Sequence, residues 1–254
     1  MFAYLIYMIA GLGAGIGTGL AGLSAAAVIS PMLITFLGFD PYEAVGIALA
    51  SDVLASAISA YTYYKNKNLD IRSGLVMLAS VLVFTLIGSY IASLMPGTAM
   101  GNFSVFMTLI LGIKFIVKPV MTTREVQAQK SQKEKNIQSL ICGCLIGFIC
   151  GFVGAGGGMM MLLILTSVLQ YELKTAVGTS VFIMSFTALT GACSHFFIGG
   201  MPHLTALIVS AAATLLGARI AALFANKAEP AALNRATGVV LTILGAAMVA
   251  VKIF

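Results

Sequence analysis

The chain has 254 residues, of which 60% are hydrophobic and 9% are charged, and its mean hydropathy is +1.05. These values leave too little polar surface to cover a water-soluble globule, so the composition predicts an integral membrane protein. The net charge of +6 comes mainly from loops between apolar runs, and this pattern excludes a basic, aromatic-rich surface for nucleic acid.

Eight apolar runs are long enough for the roughly 20 residues that a membrane-spanning helix requires. In chain order they are residues 2–38, 44–64, 75–94, 98–117, 139–169, 176–198, 204–225 and 231–253. The first run has no basic region before it and is longer than a signal peptide, so we interpret it as a membrane segment. Because the weak alternation of membrane barrel strands is absent, the sequence predicts an all-α, polytopic helical bundle.

Two of these runs contain related glycine-rich stretches, Gly19–Ala27 and Gly151–Met159, at an offset of about 132 residues. The same offset pairs Ala44-Val45-Gly46 with Ala176-Val177-Gly178. The chain therefore contains two internal repeats that arose by duplication. The predicted domains are repeat 1 at residues 1–118, a linker at 119–138 and repeat 2 at 139–254. Internal symmetry with glycine-interrupted apolar segments is typical of secondary transporters.

The distribution of positive charge predicts the orientation of the chain. Most Lys and Arg residues lie in the loop at 65–72 and in or beside the linker, which should therefore be cytoplasmic. If each glycine-broken segment is a hairpin that enters and leaves on one face, the repeats are inverted. In that arrangement every Lys and Arg is on the cytoplasmic side except Arg219, which lies within a span, and Lys252, which is outside. Parallel repeats would move Lys174, Lys227 and Arg235 outside and still satisfy the rule, so inversion is favoured but both arrangements stay open.

The glycine motifs resemble a known family. Gly19-x-x-Gly22 and Gly151-x-x-Gly154-Ala-Gly-Gly-Gly158 are each followed about twenty residues later by Ala-Val-Gly. Together with Pro31, Val177-Gly-Thr-Ser180 and Leu216-Gly-Ala-Arg-Ile-Ala221, they resemble the TauE/SafE sulfite exporter family over nearly the whole chain.

This resemblance implies a carrier of about eight membrane segments in a bacterial or archaeal cytoplasmic (inner) membrane. It implies transport of sulfite, sulfonates or related organosulfur anions, coupled to protons. The first repeat departs from the family pattern, because Ser24-Ala25-Ala26 stands where three glycines are usual. The two halves are therefore not expected to contribute equally.

Glycines at a helix break let backbone amides approach a ligand, and amides at a restarting helix carry partial positive charge that suits an oxyanion. Neighbouring hydroxyls can donate further hydrogen bonds. The predicted substrate-binding residues are Gly22, Ser24, Gly154, Gly156, Gly157, Gly158, Ser51, Thr179 and Ser180. Close helix packing explains the glycines equally well, above all the earlier run of Gly11, Gly13, Gly15 and Gly17, and hydroxyls can bond to their own helix carbonyls instead.

Charged groups within the apolar segments are the second indication of function, because an ionisable group at membrane depth is costly. Asp52 lies near the middle of its segment and is predicted to be the proton-coupling residue, since its carboxyl can alternate between neutral and charged forms. The alternatives are a structural pair with Arg219 or a bond from a backbone donor. Arg219 and His195 are further candidates, although Arg219 can extend to the interface and His195 can be a packing residue.

The sequence favours a secondary active transporter that works by alternating access over other classes. An anion channel, or a carrier of an unrelated small metabolite or metal ion, is the alternative. No nucleophile and base pair indicates an enzyme, and neither a cofactor site nor a metal-ligand spacing is present in the sequence. The predicted partners are a small anionic substrate, protons and the lipid bilayer, and a homodimer stays open.

Overall fold

The computed structural model describes residues 1–93, 113, 116–117, 131–153 and 157–253. Most of the predicted segment at 98–117 and the linker residues 119–130 lie outside the described residues. The described ranges form helices and no strand: α1 (Phe2–Ala21), α2 (Ala26–Leu37), α3 (Pro41–Lys65), α4 (Ile71–Ser93), α5 (Gln132–Val153), α6 (Gly157–Ser167), α7 (Leu173–Gly199), α8 (Leu204–Lys227) and α9 (Pro230–Ile253).

Four of these helices, α1, α3, α7 and α8, are long and apolar enough to cross a membrane. Large apolar side chains such as Leu86, Ile208 and Ile220 are exposed on the helix surfaces, as expected where lipid is the solvent. The predicted fold class, a polytopic all-α membrane bundle, is confirmed. The boundaries of the two repeats and of the linker stay predictions.

The first glycine-broken segment forms two helices, as predicted. At the end of α1, Gly22 adopts a left-handed conformation with φ 63°. Its amide donates to the Thr18 carbonyl over 2.9 Å and the Leu23 amide donates to the Gly17 carbonyl over 3.3 Å. This backbone pattern is a common helix end that favours glycine, so Gly22 marks where α1 stops and the chain turns.

Aromatic contacts show that α1 and α2 form a hairpin that returns to the face where it began. Tyr7, near the start of α1, packs edge-on against Phe39 after the end of α2, with ring centroids 6.3 Å apart. Phe39 in turn packs against His203 at the start of α8, at 5.9 Å. We call this side of the bundle the N-terminal face.

The second broken segment is a hairpin on the opposite face. Gly143 of α5 packs against Met77 and Ser80 of α4, and further along α5 Gly147 packs against Val81, so α4 and α5 run parallel and begin on one face. After α6 ends, the Tyr171 hydroxyl donates to the carboxylate of Asp70, just before α4, over 2.8 Å. We call this side the linker face, because α5 leads from the linker.

The first helix of each repeat packs on a helix of the other repeat. A methyl group at Gly11 of α1 would lie 2.7 Å from the Ser210 carbonyl oxygen of α8, and one at Gly19 would lie 2.5 Å from the Ala218 carbonyl oxygen. These contacts run parallel along α1 and α8, just as α5 runs along α4. Small residues permit such close approach of membrane helices, which is the packing role predicted for Gly11 and Gly15.

The equivalent helices α3 and α7 run antiparallel. Near the start of α3, Gly46 packs against His195 and Phe196 at the end of α7, whereas Gly178 at the start of α7 packs against Tyr63 at the end of α3. Equivalent helices of opposite direction are the relation that inverted repeats require. The linker face therefore includes the ends of α3 and α8 and the starts of α4, α5 and α7.

The duplication extends to backbone geometry at the helix ends. Gly38 after α2 and Gln170 after α6, which correspond at the repeat offset, are both left-handed, with φ 66° and 58°. Asp40 and Glu172 then stand at the start of α3 and α7 with nearly the same extended conformation. The Asp40 carboxylate accepts from the Tyr42 and Glu43 amides, over 2.9 and 3.3 Å, and so caps α3.

Candidate substrate site at the two helix breaks

The turn of the first hairpin meets the start of α6 inside the bundle. We call these two places, residues 22–24 and 157–158, the hairpin tips. Gly158, in the first turn of α6, lies so close to the turn of the first hairpin that a methyl group on it would be 2.5 Å from the Gly22 carbonyl oxygen. The same methyl would be 2.9 Å from the Ser24 amide nitrogen. Of the predicted substrate-binding residues, Gly22, Ser24 and Gly158 therefore lie together, and the Ser180 hydroxyl is 3.4 Å from the Gly22 carbonyl oxygen. Gly157 precedes Gly158 in α6, while Gly154 and Gly156 lie outside the described residues.

Side chains from several helices bind the carbonyls exposed by the first break. The Tyr63 hydroxyl of α3 donates to the Gly19 carbonyl over 2.8 Å, and the Thr237 hydroxyl of α9 is 3.5 Å from the Leu20 carbonyl oxygen. Thr18 itself donates to the Leu23 carbonyl over 2.8 Å. Interrupted backbone is tolerated at membrane depth only where protein groups satisfy it, and these bonds meet that requirement.

Asp52 of α3 caps the start of α2. Its Oδ2 atom accepts from the Ala25 amide over 3.1 Å, its Oδ1 atom accepts from the Ser56 hydroxyl over 2.8 Å, and its side chain is 1% exposed. Ala25 stands at the cap position and has no side-chain acceptor of its own. A carboxylate is favoured there because the start of a helix carries partial positive charge, so a residue from another helix takes the place of the missing cap.

The second break has a different neighbour at the equivalent place. At the repeat offset Asp52 corresponds to Met184, whose sulfur would lie 2.7 Å from a methyl group on Gly158. The Ser180 hydroxyl lies 3.7 Å from that sulfur and 3.4 Å from the Gly22 carbonyl oxygen. No acidic residue lies in the first turn of α6. One helix start therefore faces a carboxylate and the other faces a thioether and a hydroxyl.

Two predicted hydroxyl ligands have bonds elsewhere. Thr179 accepts from the Asp70 amide over 3.2 Å, towards the linker face. Ser51 donates to the Ile47 carbonyl of its own helix over 2.8 Å. Their role in substrate binding stays a prediction, and the structure gives each of them a structural bond.

The two further candidates lie apart from the hairpin tips. Arg219 is exposed on α8. His195 is half-buried near the N-terminal face, with Nδ1 3.0 Å from the Gly191 carbonyl oxygen and its ring stacked on Tyr42 at 4.3 Å. The two structural alternatives for Asp52 were a pair with Arg219 and a bond from a backbone donor. The geometry matches the second, because the Ala25 amide donates to Asp52.

The comparison with known proteins assigns the family. A family model described as "Sulfite exporter TauE/SafE" matches residues 7–248. The chain belongs to this family. TauE/SafE membership makes it a membrane transporter rather than an enzyme.

Relatives from bacteria and archaea carry consistent names. The protein named "Probable membrane transporter protein YunE" from Bacillus subtilis (strain 168) is 26% identical over 272 residues, which cover 99% of both chains. "Probable membrane transporter protein MJ0441" from Methanocaldococcus jannaschii is 28% identical over 201 residues, covering 75% of this chain and 71% of that protein. The similarity to YunE therefore extends over the whole TauE/SafE chain, both hairpins included.

Several residues around the hairpin tips of this TauE/SafE protein were not predicted, among them Tyr63 and Met184. Ser56 follows Asp52 by one helical turn, and that spacing is a usable signal for a side-chain pair. Thr18 and Thr237 carry no such signal, because their hydroxyls reach backbone carbonyls whose position depends on where α1 breaks. Only the folded chain brings them to the same turn.

Proposed function

We propose that this TauE/SafE protein is a secondary active transporter of small sulfur-containing anions, such as sulfite and sulfonates, that works by alternating access and is coupled to protons. The observation that carries the proposal is the meeting of two opposed hairpins inside the bundle, with Asp52 at the start of one restarting helix. Discontinuous helices that meet near the middle of the membrane are where carriers of this architecture bind their substrates. The protein would lie in the cytoplasmic membrane with its linker face inside.

The start of α6 is suited to an anion. Its first residues, Gly157 and Gly158, carry no side chains of their own to cover the backbone amides, and a helix start attracts negative charge. The hydroxyl of Ser180 adds a donor close by. A sulfur oxyanion presents several acceptor oxygens to such donors and needs no buried cation, and the sulfur chemistry itself is supported by the description of the family.

Asp52 gives a physical reason for proton coupling. Its carboxylate accepts from the Ala25 amide, and the amide of the preceding residue, Ser24, lies against Gly158, so a negative charge on Asp52 disfavours a second anion at the hairpin tips. A proton on Asp52 removes this repulsion and weakens the bond from the Ala25 amide. Proton binding and anion binding then favour each other, and by linkage the effect is reciprocal.

The test is flux into proteoliposomes that contain the purified protein, with sulfite, thiosulfate, sulfate, an aliphatic sulfonate and divalent cations supplied in turn. We expect saturable uptake of at least one sulfur anion and competition among those that bind. Linear flux without competition would favour the channel. Uptake confined to divalent cations would overturn the anion assignment.

A further inference from the structure

Outside the hairpin tips, side chains from both repeats are joined on the linker face. The Tyr171 hydroxyl donates to Oδ2 of Asp70 over 2.8 Å, and the Asn68 amide group donates to Oδ1 of Asn226 over 2.6 Å. Both bonds connect repeat 1 to repeat 2. We call these four residues, Asn68, Asp70, Tyr171 and Asn226, the linker-face latch.

The latch is largely buried although it lies in loops and at helix ends. Tyr171 is 0% exposed and Asn68 is 3% exposed. Burial raises the pKa of Tyr171 above its usual value, so its hydroxyl stays protonated and remains a donor. The other Asp70 oxygen, Oδ1, accepts from the Ser73 amide over 3.1 Å, which fixes the carboxylate towards Tyr171.

The latch lies between the hairpin tips and the linker face. Asp70 donates its backbone amide to Thr179, the residue next to Ser180, and Gly178 packs directly against the Asn68 backbone. Ser180 contacts Gly22 at the tip of the first hairpin. The latch therefore contacts the same stretch of α7 that reaches the hairpin tips, on its linker-face side.

Two of the contacts on the opposite face differ from the latch because they involve more exposed groups. There the His203 amide donates to Glu43 over 2.8 Å, an exposed bond, and Tyr42 stacks on His195. The equivalent helix pairs α3–α8 and α7–α4 also differ in the length of their contact. Helix α8 packs extensively along α3, whereas α4 meets α7 over a shorter stretch that includes Gly74 and Thr179. The two equivalent halves are therefore not in equivalent arrangements.

We propose that the linker-face latch is a gate of the transport cycle, closed in this structure, whose bonds must break each time the substrate passes between the hairpin tips and the linker face. Inverted repeats exchange arrangements when access alternates, so closure on one face and opening on the other are two states of one bundle. The proposal rests on the alternating access of the proposed function. It adds the residues that hold one of the two states.

The first experiment locks the gate. Asn68→Cys and Asn226→Cys are combined in a background without the native cysteines, and the pair is joined in proteoliposomes by a short bis-methanethiosulfonate that a thiol reductant removes. Sulfur-anion uptake should fall at least tenfold on cross-linking and return on reduction, while the flux of each single cysteine variant should be the same before and after the same treatment. Full transport by the cross-linked protein would show that the contact is fixed scaffold.

The second experiment needs no substrate. Tyr171→Phe keeps the packed ring and removes the donor to Asp70, so the gate should open more often. Ser180→Cys should then react several-fold faster with an impermeant maleimide applied from the linker face, whereas Tyr42→Phe on the N-terminal face is the matched control and should leave that rate unchanged. An unchanged rate in Tyr171→Phe would overturn the gate.

The two proposals can fail separately. If no sulfur anion is transported but Tyr171→Phe still increases labelling of Ser180→Cys, the substrate assignment is wrong and the gate stands. If uptake is saturable and the cross-linked protein carries the anion at the rate of the reduced protein, the transport function stands and the gate is wrong.

Discussion

Asp52 and Met184 occupy equivalent places in the two repeats and give the two helix breaks different chemistry. Asp52 binds the first free amide of α2, and that helix start is already neutralised by the protein. Met184 offers only a weak acceptor near the start of α6. A difference of one residue type at equivalent positions thus leaves the start of α6 without a carboxylate, which is the basis for proposing an anion there.

The close approach of Gly158 to the first hairpin leads to a prediction about stability. In Gly158→Ala the new methyl meets backbone atoms of Gly22 and Ser24 at 2.5 and 2.9 Å, and backbone cannot move aside as a flexible side chain can. We expect a loss of about 1–3 kcal/mol, seen as a lower melting temperature of the purified protein. Gly13→Ala is the control, because its methyl meets only Val28 at 3.8 Å; equal melting temperatures for the two variants would contradict the contact.

Residue types predicted the hairpin tips better than they predicted the hydroxyls around them. Glycines and the repeat offset identified Gly22 and Gly158, because close approach of backbones requires small residues. Thr179 and Ser180 could not be separated in this way, since consecutive residues of a helix project about 100° apart and only one of them faces the hairpin tips. Ser51 and Asp52 are also consecutive and have different partners for the same reason: Ser51 bonds to its own helix, whereas Asp52 bonds to the Ala25 amide.

Among the helices and hairpins, segment length was the most informative signal. A run longer than one span with glycines inside it predicted the α1–α2 hairpin, and the aromatic contacts among Tyr7, Phe39 and His203 agree with it. The glycine spacing of α1 predicted a packed face but not its partner. That partner is α8, far along the chain, and the contact depends on the arrangement of the whole bundle.

The equivalent helix ends after α2 and α6 predict opposite changes in stability for two substitutions. Gln170 is exposed and left-handed, a conformation that is unfavourable for side chains with a Cβ atom, so Gln170→Gly should gain about 0.5–1 kcal/mol. At the equivalent Gly38, no atom lies within 4 Å of an added methyl, so Gly38→Ala should lose about 1 kcal/mol through the backbone alone. Melting temperatures that move in the same direction would contradict the shared geometry.

At the scale of the whole molecule, the inverted relation between the repeats was favoured by the charge pattern and matches the antiparallel packing of α3 and α7. The charges alone left parallel repeats open, because both arrangements keep the linker and the loop at 65–72 on one side. Side-chain contacts such as Gly46 with His195 resolve the direction of the helices. Which face is cytoplasmic still depends on the positive-inside rule.

The topology predicts where two equivalent loop positions are accessible. Single cysteines at Asp40 and Glu172, at the starts of α3 and α7, should react with an impermeant maleimide from opposite sides of the membrane in a background without native cysteines. The positive-inside rule predicts that Glu172 is on the cytoplasmic side. Labelling of both positions from one side would mean parallel repeats and would contradict the two opposed hairpins.

Coupling between a proton on Asp52 and an anion at the hairpin tips is the central claim, and one flux measurement tests it most directly. Uptake of the transported sulfur anion is compared in proteoliposomes with and without an imposed pH gradient, for the wild type and for Asp52→Asn, with a protonophore as control. We expect the gradient to accelerate uptake severalfold in the wild type and to have no effect in Asp52→Asn, which still binds the anion because the amide keeps the shape of the carboxyl but cannot exchange a proton. Equal acceleration in both proteins would contradict the account and leave Asp52 as a helix cap alone.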